Sequence, residues 1–260
     1  MILEVPKPVQ IFSVVAAGLC VGSFLNVVIA RVPRGRSIVH PSSRCGFCRS
    51  GISAWRNVPL LGFLSSAGRC SRCGVAYSVR YPVIEALTPI VFLANWSLYG
   101  WSAALLFYSL FCAALIAISF IDLEFRIIPD SMSLGGWAVA LILSALSVPG
   151  FPTDLISAVT GSLLGAAGFW LISRIFYFVT HEEGLGFGDV KVVGFMGAML
   201  GWRGVISAIF VGSILGTVIG IFNMTVHKKT KRAPIAFGPF LSIGAMVVVF
   251  QLDPFWWAWR

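Results

Sequence analysis

The sequence predicts an all-α polytopic membrane protein with about eight transmembrane helices and one small cytoplasmic domain between the first two helices. Three observations support this fold class. The composition is 58% hydrophobic and 11% charged, whereas soluble domains carry roughly 25% charged residues. Eight apolar runs follow one another along the chain, separated by shorter polar segments. The longest polar segment contains four closely spaced cysteines.

The apolar runs are the predicted membrane helices, because most of them approach the length that crosses about 30 Å of hydrocarbon. They cover residues 11–30, 83–98, 101–121, 131–148, 155–180, 190–200, 205–226 and 233–252. The sixth run is short and contains Gly194, Gly197 and Gly201, so we expect a tilted, tightly packed or broken helix there. The first run lacks a clear small-residue cleavage site, which indicates an anchor rather than a cleaved signal peptide.

The distribution of basic residues predicts the orientation in the membrane, because Lys and Arg are retained on the cytoplasmic side. Eight alternating spans place 16 of the 19 basic residues on one face, and only Lys7, Arg203 and Arg260 on the other. Both termini are therefore predicted to lie outside the cytoplasm. Topology and contact with anionic lipid head groups explain the net charge of +9, so we expect no nucleic-acid partner.

The four clustered cysteines predict a structural zinc site. Cys45, Cys48, Cys70 and Cys73 form two C-x-x-C pairs separated by 21 residues, close to the spacing of four-thiolate zinc sites. A reducing cytosol favours metal over disulfides, although a redox pair or incidental cysteines stay open. The predicted domains are the first transmembrane helix at 1–30, a zinc-bound cytoplasmic domain at 31–81 and a membrane-embedded domain at 82–260.

Two aspartates at the ends of apolar runs are the candidate catalytic residues. Asp122 lies in IDLEFRIIPD at 121–130, and Asp189 lies in GLGFGDVK at 184–191. The predicted topology places both at the cytoplasmic boundary, and an ionisable group at membrane depth indicates function. Two adjacent carboxylates share one proton and can hydrolyse a peptide bond without a covalent intermediate. For either aspartate alone, a helix cap or a solvated boundary residue is the alternative.

The glycines before Asp189 are candidate substrate contacts. Without side chains, Gly186 and Gly188 would let an extended peptide backbone approach the carboxylate, and they can adopt positive φ. The alternative is that they only turn the chain between two helices.

Six segments resemble the bacterial type IV prepilin peptidases, in order along the chain. They are GSFLNVVIARVP at 22–33, HPSSRCGFC at 40–48, GRCSRC at 68–73, YSVRYPVIE at 77–85, IDLEFRIIPD at 121–130 and GLGFGDVK at 184–191. The resemblance implies an eight-helix aspartic endopeptidase of the bacterial inner membrane, with Asp122 and Asp189 as its catalytic pair. Such enzymes remove the basic leader from prepilins and from the pseudopilins of type II secretion.

The resemblance also implies methylation of the new N-terminal amine with S-adenosylmethionine, as in many members. No G-x-G-x-x-G motif follows a predicted strand, so a conventional nucleotide-binding fold is not expected. The donor is cationic at sulfur, and an acidic or aromatic pocket could hold it. Glu85, Tyr77 and Tyr81 are the candidates for this pocket, against the alternative that they anchor the second helix at the interface.

Several charged residues near the two aspartates are candidate contacts for a basic leader or for the active-site loops. The acids are Glu124, Asp130, Glu182 and Glu183, and a solvated loop face is the alternative for all of them. Lys191 is a further loop candidate. Because a buried charge needs a partner, Lys191 and Arg126 are also candidate partners of Glu85.

Three other functions fit parts of the pattern. A membrane aspartic protease of the presenilin or archaeal preflagellin class shares GxGD, but it generally lacks the four-cysteine domain and the methyltransferase activity. A proton-coupled transporter would use paired carboxylates as a relay, but it would need them near the middle of the membrane. A zinc-dependent assembly protein without chemistry predicts that both aspartates are replaceable.

Overall fold

The computed structural model describes residues 5–181, 186–226 and 236–252, and the regular elements of this part are helices. The α-helices are Lys7–Arg31 (α1), Leu61–Ser65 (α2), Arg80–Tyr99 (α3), Ala103–Phe125 (α4), Asp130–Ala145 (α5), Leu155–Thr180 (α6), Phe187–Val226 (α7) and Gly238–Val249 (α8). Short 3-10 helices cover Val32–Arg34 and Ala54–Asn57. The chain divides into two compact units, Met1–Trp101 and Ser102–Arg260. The predicted all-α fold class is confirmed.

In the described part of the chain, four helices are long and apolar enough to cross a membrane: α1, α4, α6 and α7. The apolar helices α5 and α8 are shorter. Each of the eight predicted runs falls mainly on one helix or on one limb of α7. Helix α7 is broken at Gly201, where φ is 70° and ψ is 179°. Of the three forms expected for the sixth run, the structure shows tight packing at Gly197 and a break just after the run, at Gly201. The count of eight spans stays a prediction.

In the first unit, α1 and α3 pack closely because small residues face the contact. A Cβ added at Gly18 would lie 2.5 Å from the Cα of Pro89, and one added at Gly22 would lie 3.1 Å from the Cα of Glu85. Such spacing of small residues lets two membrane helices approach backbone to backbone. The Asn26 side-chain amide then donates to the carbonyl of Tyr81 over 3.1 Å, which fixes the register of the two helices.

In the second unit, α7 packs against the other long helices. A Cβ at Gly161 of α6 would lie 2.5 Å from the carbonyl oxygen of Gly197 in α7, so the two backbones touch there. The rings of Phe111 in α4 and Phe195 in α7 meet edge to face, with centroids 5.1 Å apart. These contacts bury the face of α7 that precedes the break.

Three helix ends meet at one end of the second unit. Helix α4 is followed by its capping residue Arg126, which has φ 56° and donates its N–H to the Asp122 carbonyl over 2.9 Å. Helix α8 begins at Gly238, with a proline in its first turn. The first turn of α7 lies beside the segment that joins α4 to α5, because Gly188 contacts Ile128. The end of α4 therefore lies near the beginnings of α7 and α8.

Candidate functional site

Asp122 is a buried carboxylate in the last turn of α4. Its side chain is 6% exposed, and its Oδ2 accepts the backbone N–H of Gly238 over 2.9 Å. A buried carboxylate is costly unless donors or opposite charges surround it. Gly238 supplies one such donor from the first residue of α8, and Arg126 lies near enough to act on Asp122 electrostatically.

Asp189 is the second buried carboxylate, in the first turn of α7, and it is 8% exposed. It lies close enough to Asp122 for the charge of Asp122 to act on it. The structure therefore brings together the two aspartates that the sequence singled out. Two neighbouring buried carboxylates are the arrangement that hydrolysis by an aspartate pair requires.

The two glycines before Asp189 have different neighbours. The backbone N–H of Asp189 donates to the Gly186 carbonyl over 3.0 Å, and a Cβ at Gly186 would lie 3.5 Å from Asp189 Oδ2. A Cβ at Gly188 would lie 3.0 Å from the Cβ of Ile128. Neither glycine adopts a positive φ. Their small size, rather than a left-handed backbone, is therefore what this arrangement uses.

The charged residues near the aspartate pair differ in their contacts and in their exposure. Lys191 Nζ forms an ion pair with Asp130 Oδ1 over 2.6 Å and lies 5.1 Å from the centre of the Phe187 ring. Glu124 is exposed on the last turn of α4. Glu182 and Glu183 lie outside the described residues. Lys191 is thus paired with Asp130, not with Glu85 as the sequence had allowed.

Gly238 is a site residue that the sequence analysis missed. A Cβ added there would lie 2.7 Å from Asp122 Oδ2, so a side chain at this position would displace either Asp122 or the start of α8. The available signal was the dipeptide Gly238-Pro239 at the start of the last apolar helix. Proline in the first turn marks a helix beginning, where backbone N–H groups have no partner within the helix.

The four predicted zinc ligands form one cluster in the first unit. The sulfur atoms of Cys45, Cys48, Cys70 and Cys73 all lie within 4.8 Å of one another. The Cys45–Cys73 sulfurs are 3.8 Å apart and the Cys48–Cys70 sulfurs are 3.9 Å apart, and none of these cysteines is in a disulfide. Zinc–sulfur bonds of about 2.3 Å in a tetrahedron separate the sulfurs by about 3.8 Å. The cluster therefore fits a zinc ion.

The two C-x-x-C pairs share one backbone pattern. In each pair the first cysteine donates its N–H to a carbonyl five residues later, Cys45 to Ser50 and Cys70 to Val75, both over 2.9 Å. The residue after the second cysteine has a positive φ, 56° at Arg49 and 71° at Gly74. Backbone N–H groups of Cys73 and Arg72 donate to the Cys70 sulfur and lower its pKa to about 5. These two hydrogen bonds thus favour the thiolate form of Cys70, which is the form that zinc binds, whereas burial and the neighbouring sulfurs raise the pKa of Cys73 to about 11.

The three candidates for the methyl-donor pocket share one cavity in the first unit. Tyr77, Tyr81 and Glu85 all line a cavity of about 330 Å³. Glu85 is 9% exposed, and its Oε2 accepts the backbone N–H of Leu60 over 2.8 Å. Burial and a hydrogen bond to the Cys70 sulfur raise the pKa of Tyr77 to about 12. The partner of Glu85 is therefore a backbone amide, which no charge pattern in the sequence indicated.

The comparisons with known proteins cover both units. The bacterial peptidase A24 N-terminal domain matches residues 16–99, and the type IV leader peptidase family matches residues 109–221. A prepilin leader peptidase/N-methyltransferase of Neisseria gonorrhoeae is 34% identical over 98% of this chain and 95% of its own. Proteins of the same name from Legionella pneumophila and Myxococcus xanthus are also similar. The first is 33% identical, covering 90% of this chain and 89% of its own. The second is 40% identical, covering 80% and 61%.

No solved structure matches the chain. The two family matches follow one another along the chain without overlap. Similarity to the Neisseria protein extends over nearly the whole length of both chains. The chain therefore belongs to the type IV leader peptidase family.

Proposed function

We propose that this chain is an aspartic endopeptidase of the bacterial inner membrane that removes the basic leader from type IV prepilins or type II secretion pseudopilins. We further propose that it methylates the N-terminus that cleavage exposes. The observation that carries the proposal is the pair of buried carboxylates, Asp122 and Asp189, at adjoining helix ends in a leader peptidase family member.

In this mechanism the aspartate pair activates water. One carboxylate takes a proton from the water as its oxygen attacks the scissile carbonyl carbon, and the other donates a proton to the carbonyl oxygen. The carbon–nitrogen bond of the resulting diol then breaks. The leaving nitrogen takes a proton from the pair, and one hydroxyl of the diol returns a proton to the pair as the new carboxyl group forms. Gly238 holds Asp122 in place through its N–H, and the absent side chain at Gly186 leaves space for the substrate backbone beside Asp189. Gly188 instead lets the start of α7 pack against Ile128.

The membrane placement follows from the charge distribution. We propose eight spans, termini outside the cytoplasm and the aspartate pair at the cytoplasmic boundary, where basic residues collect. A basic leader would meet acids on that face, for which Glu124, Glu182 and Glu183 are the proposed contacts. Asp130 is less available because it already pairs with Lys191.

The two proposed cofactors have separate roles. Zinc on Cys45, Cys48, Cys70 and Cys73 would be structural, because four thiolates leave no open position for water. When bound, S-adenosylmethionine would supply the methyl group for the neutral N-terminal amine. Glu85, Tyr77 and Tyr81 would hold that donor in the cavity that they line.

Incubation of the purified protein with a synthetic basic-leader prepilin and S-adenosylmethionine tests the proposal. Mass spectrometry should find the free leader and a mature chain that is one methyl group heavier than the simple cleavage product. Uncut substrate would contradict the peptidase proposal. Cleavage without any mass increase, under saturating donor, would contradict the methylation proposal and leave the peptidase standing.

A further inference from the structure

The segment at residues 54–65 exposes large apolar side chains. Trp55 is 86% exposed, more than any other large apolar side chain that the structure describes. In α2, Leu61 and Leu64 are 63% and 72% exposed, and residues three apart share one face of a helix. Gly62, which lies between them in the chain, is instead buried. The exposed face of α2 is therefore apolar, the reverse of a helix that faces water.

The 54–65 segment folds back to the level of the apolar part of α1. Glu85 Oε2 accepts the backbone N–H of Leu60 over 2.8 Å, and Glu85 lies in the second turn of α3. A Cβ added at Gly22 of α1 would lie 3.1 Å from the Glu85 Cα, so these two residues are at one level. Residues 23–30 complete the apolar run of α1 after Gly22, which is about 12 Å of helix. Since only one side chain separates Glu85 from Leu60, the segment lies beside this end of α1 rather than beyond it.

The cavity of the first unit shows the same placement. It is lined by residues of α1 between Ser23 and Ala30 together with Val58, Gly62 and Phe63. Helix α1 is one of the helices that are long and apolar enough to cross a membrane. The 54–65 segment therefore lies along the last two turns of a membrane-spanning run.

The backbone of the segment is bonded within the protein, as a membrane setting requires. Four N–H groups donate to carbonyls of the same segment over 2.7 to 3.4 Å, those of Val58, Leu61, Gly62 and Leu64. Leu60 donates to Glu85, and Pro59 has no N–H. Backbone groups that lack partners are costly in contact with lipid. These groups can thus leave water without losing a hydrogen bond.

Arginines accompany this apolar face, and no acidic residue does. Residues 31–81 contain no Asp, Glu or Lys, and their nine arginines are Arg31, Arg34, Arg36, Arg44, Arg49, Arg56, Arg69, Arg72 and Arg80. Arg56, which follows Trp55 directly, is exposed. Anionic lipid head groups attract arginines, and tryptophan is enriched where head groups meet acyl chains. An apolar face bordered by arginines is therefore complementary to the surface of an anionic bilayer.

We propose that the 54–65 segment is an interfacial membrane element in the leaflet at the C-terminal end of α1. Trp55, Leu61 and Leu64 lie in the boundary between head groups and acyl chains, where such faces are buried about 5 to 10 Å deep. The neighbouring arginines bind anionic head groups. The four-cysteine domain is then bound to the membrane along this segment as well as through α1 and α3. The proposal rests on α1 as a membrane span and is independent of the proposed peptidase and methyltransferase activities.

Fluorescence quenching in the full-length protein tests the position of Trp55. The wild type and Trp55→Phe are placed in phosphatidylglycerol nanodiscs, and the difference between their emissions reports Trp55. Lipid that is brominated on its acyl chains close to the head group should quench this difference about twofold or more, and aqueous acrylamide should quench it little. Quenching by acrylamide alone would overturn the proposal by placing Trp55 in water. Shielding from both quenchers would also overturn it, because protein would then cover the face.

Hydrogen exchange of the 54–65 peptide in the same nanodiscs tests the two leucines. The double variant Leu61→Ser/Leu64→Ser should exchange about tenfold faster than the wild type, because its α2 loses the apolar face that holds it in lipid. Val39→Ser is the matched control, since Val39 is 70% exposed but lies outside the segment. Zinc content, measured for each variant, should equal that of the wild type. Equal exchange in the double variant and the wild type would overturn the proposal.

The lipid head group is varied in the same experiment. In phosphatidylcholine nanodiscs the wild-type peptide should exchange faster than in phosphatidylglycerol nanodiscs, because the arginines lose their anionic partners. Equal exchange in the two lipids would overturn the part of the proposal that assigns the arginines to anionic head groups.

Discussion

Gly238 has no side chain, and the position of Asp122 depends on that fact. The Gly238 N–H reaches Asp122 Oδ2 at 2.9 Å, and a Cβ would approach the same oxygen to 2.7 Å. Any side chain must therefore displace either the carboxylate or the start of α8. A displacement of about 1 Å in a catalytic group can cost about a hundredfold in rate.

Gly238→Ala is accordingly expected to lower kcat for prepilin cleavage about a hundredfold while changing KM little. The matched control is Gly135→Ala in α5, because a Cβ at Gly135 meets no atom within 4 Å. Steady-state kinetics with a fluorogenic prepilin peptide measures both variants. Equal kcat for Gly238→Ala and the wild type would show that Gly238 does not position Asp122 for cleavage.

The two aspartates could be predicted from the sequence, but their supporting residues could not. Asp122 and Asp189 each interrupt an apolar pattern, and such an interruption is visible in a linear sequence. The Gly238 N–H and the Leu60 N–H are backbone groups that chain packing brings to a distant carboxylate. Every residue but proline has such a group, so the residue type gives no signal.

At the scale of elements, close packing of α6 on α7 depends on glycine. A Cβ at Gly197 would collide with the carbonyl of Gly161, and overpacking of a tight contact costs about 1 to 3 kcal/mol. Gly197→Ala is expected to lower the Tm in detergent. Gly168→Ala, in α6 with open space at its Cβ, should leave the Tm unchanged or raise it. A Tm for Gly197→Ala at or above that of Gly168→Ala would contradict the packing described.

The segment that contains the two C-x-x-C pairs is expected to fold only when zinc is bound. Cys73→Ser removes one of four thiolates, so bound zinc should fall well below one ion per chain, and trypsin should cut the 31–81 segment faster. Cys20→Ser serves as the control, because Cys20 is exposed on α1 and outside the cluster. Metal analysis and limited proteolysis measure both. Full zinc loading of Cys73→Ser would show that the cluster is not the zinc site.

At the scale of the whole molecule, hydropathy predicted the helical segments and the break between two of them. The sixth and seventh apolar runs correspond to the two helical limbs of α7, which meet at the non-helical residue Gly201. The sequence signal for this break was the segment Gly201-Trp202-Arg203-Gly204 between the two runs. The segment between α1 and α3 was predicted as one metal domain, and the structure gives it little regular secondary structure besides short helices.

The family assignment and the aspartate pair support one another. The alternatives, a proton-coupled transporter or an assembly protein, do not explain a family match to leader peptidases over residues 109–221. The assembly protein also makes the opposite prediction for the two carboxylates. A hydrolytic pair loses its shared proton when either member becomes an amide, whereas an assembly protein tolerates the change.

Prepilin cleavage by purified Asp122→Asn and Asp189→Asn variants tests the central claim most directly. Each substitution keeps the side-chain volume and removes one ionisable group. Asp154→Asn is the matched control, since Asp154 is the exposed N-cap of α6 and asparagine caps equally well. Mass spectrometry should show complete cleavage by the wild type and Asp154→Asn, and no product from either active-site variant with normal zinc content. Substantial turnover by Asp122→Asn or Asp189→Asn would contradict the account.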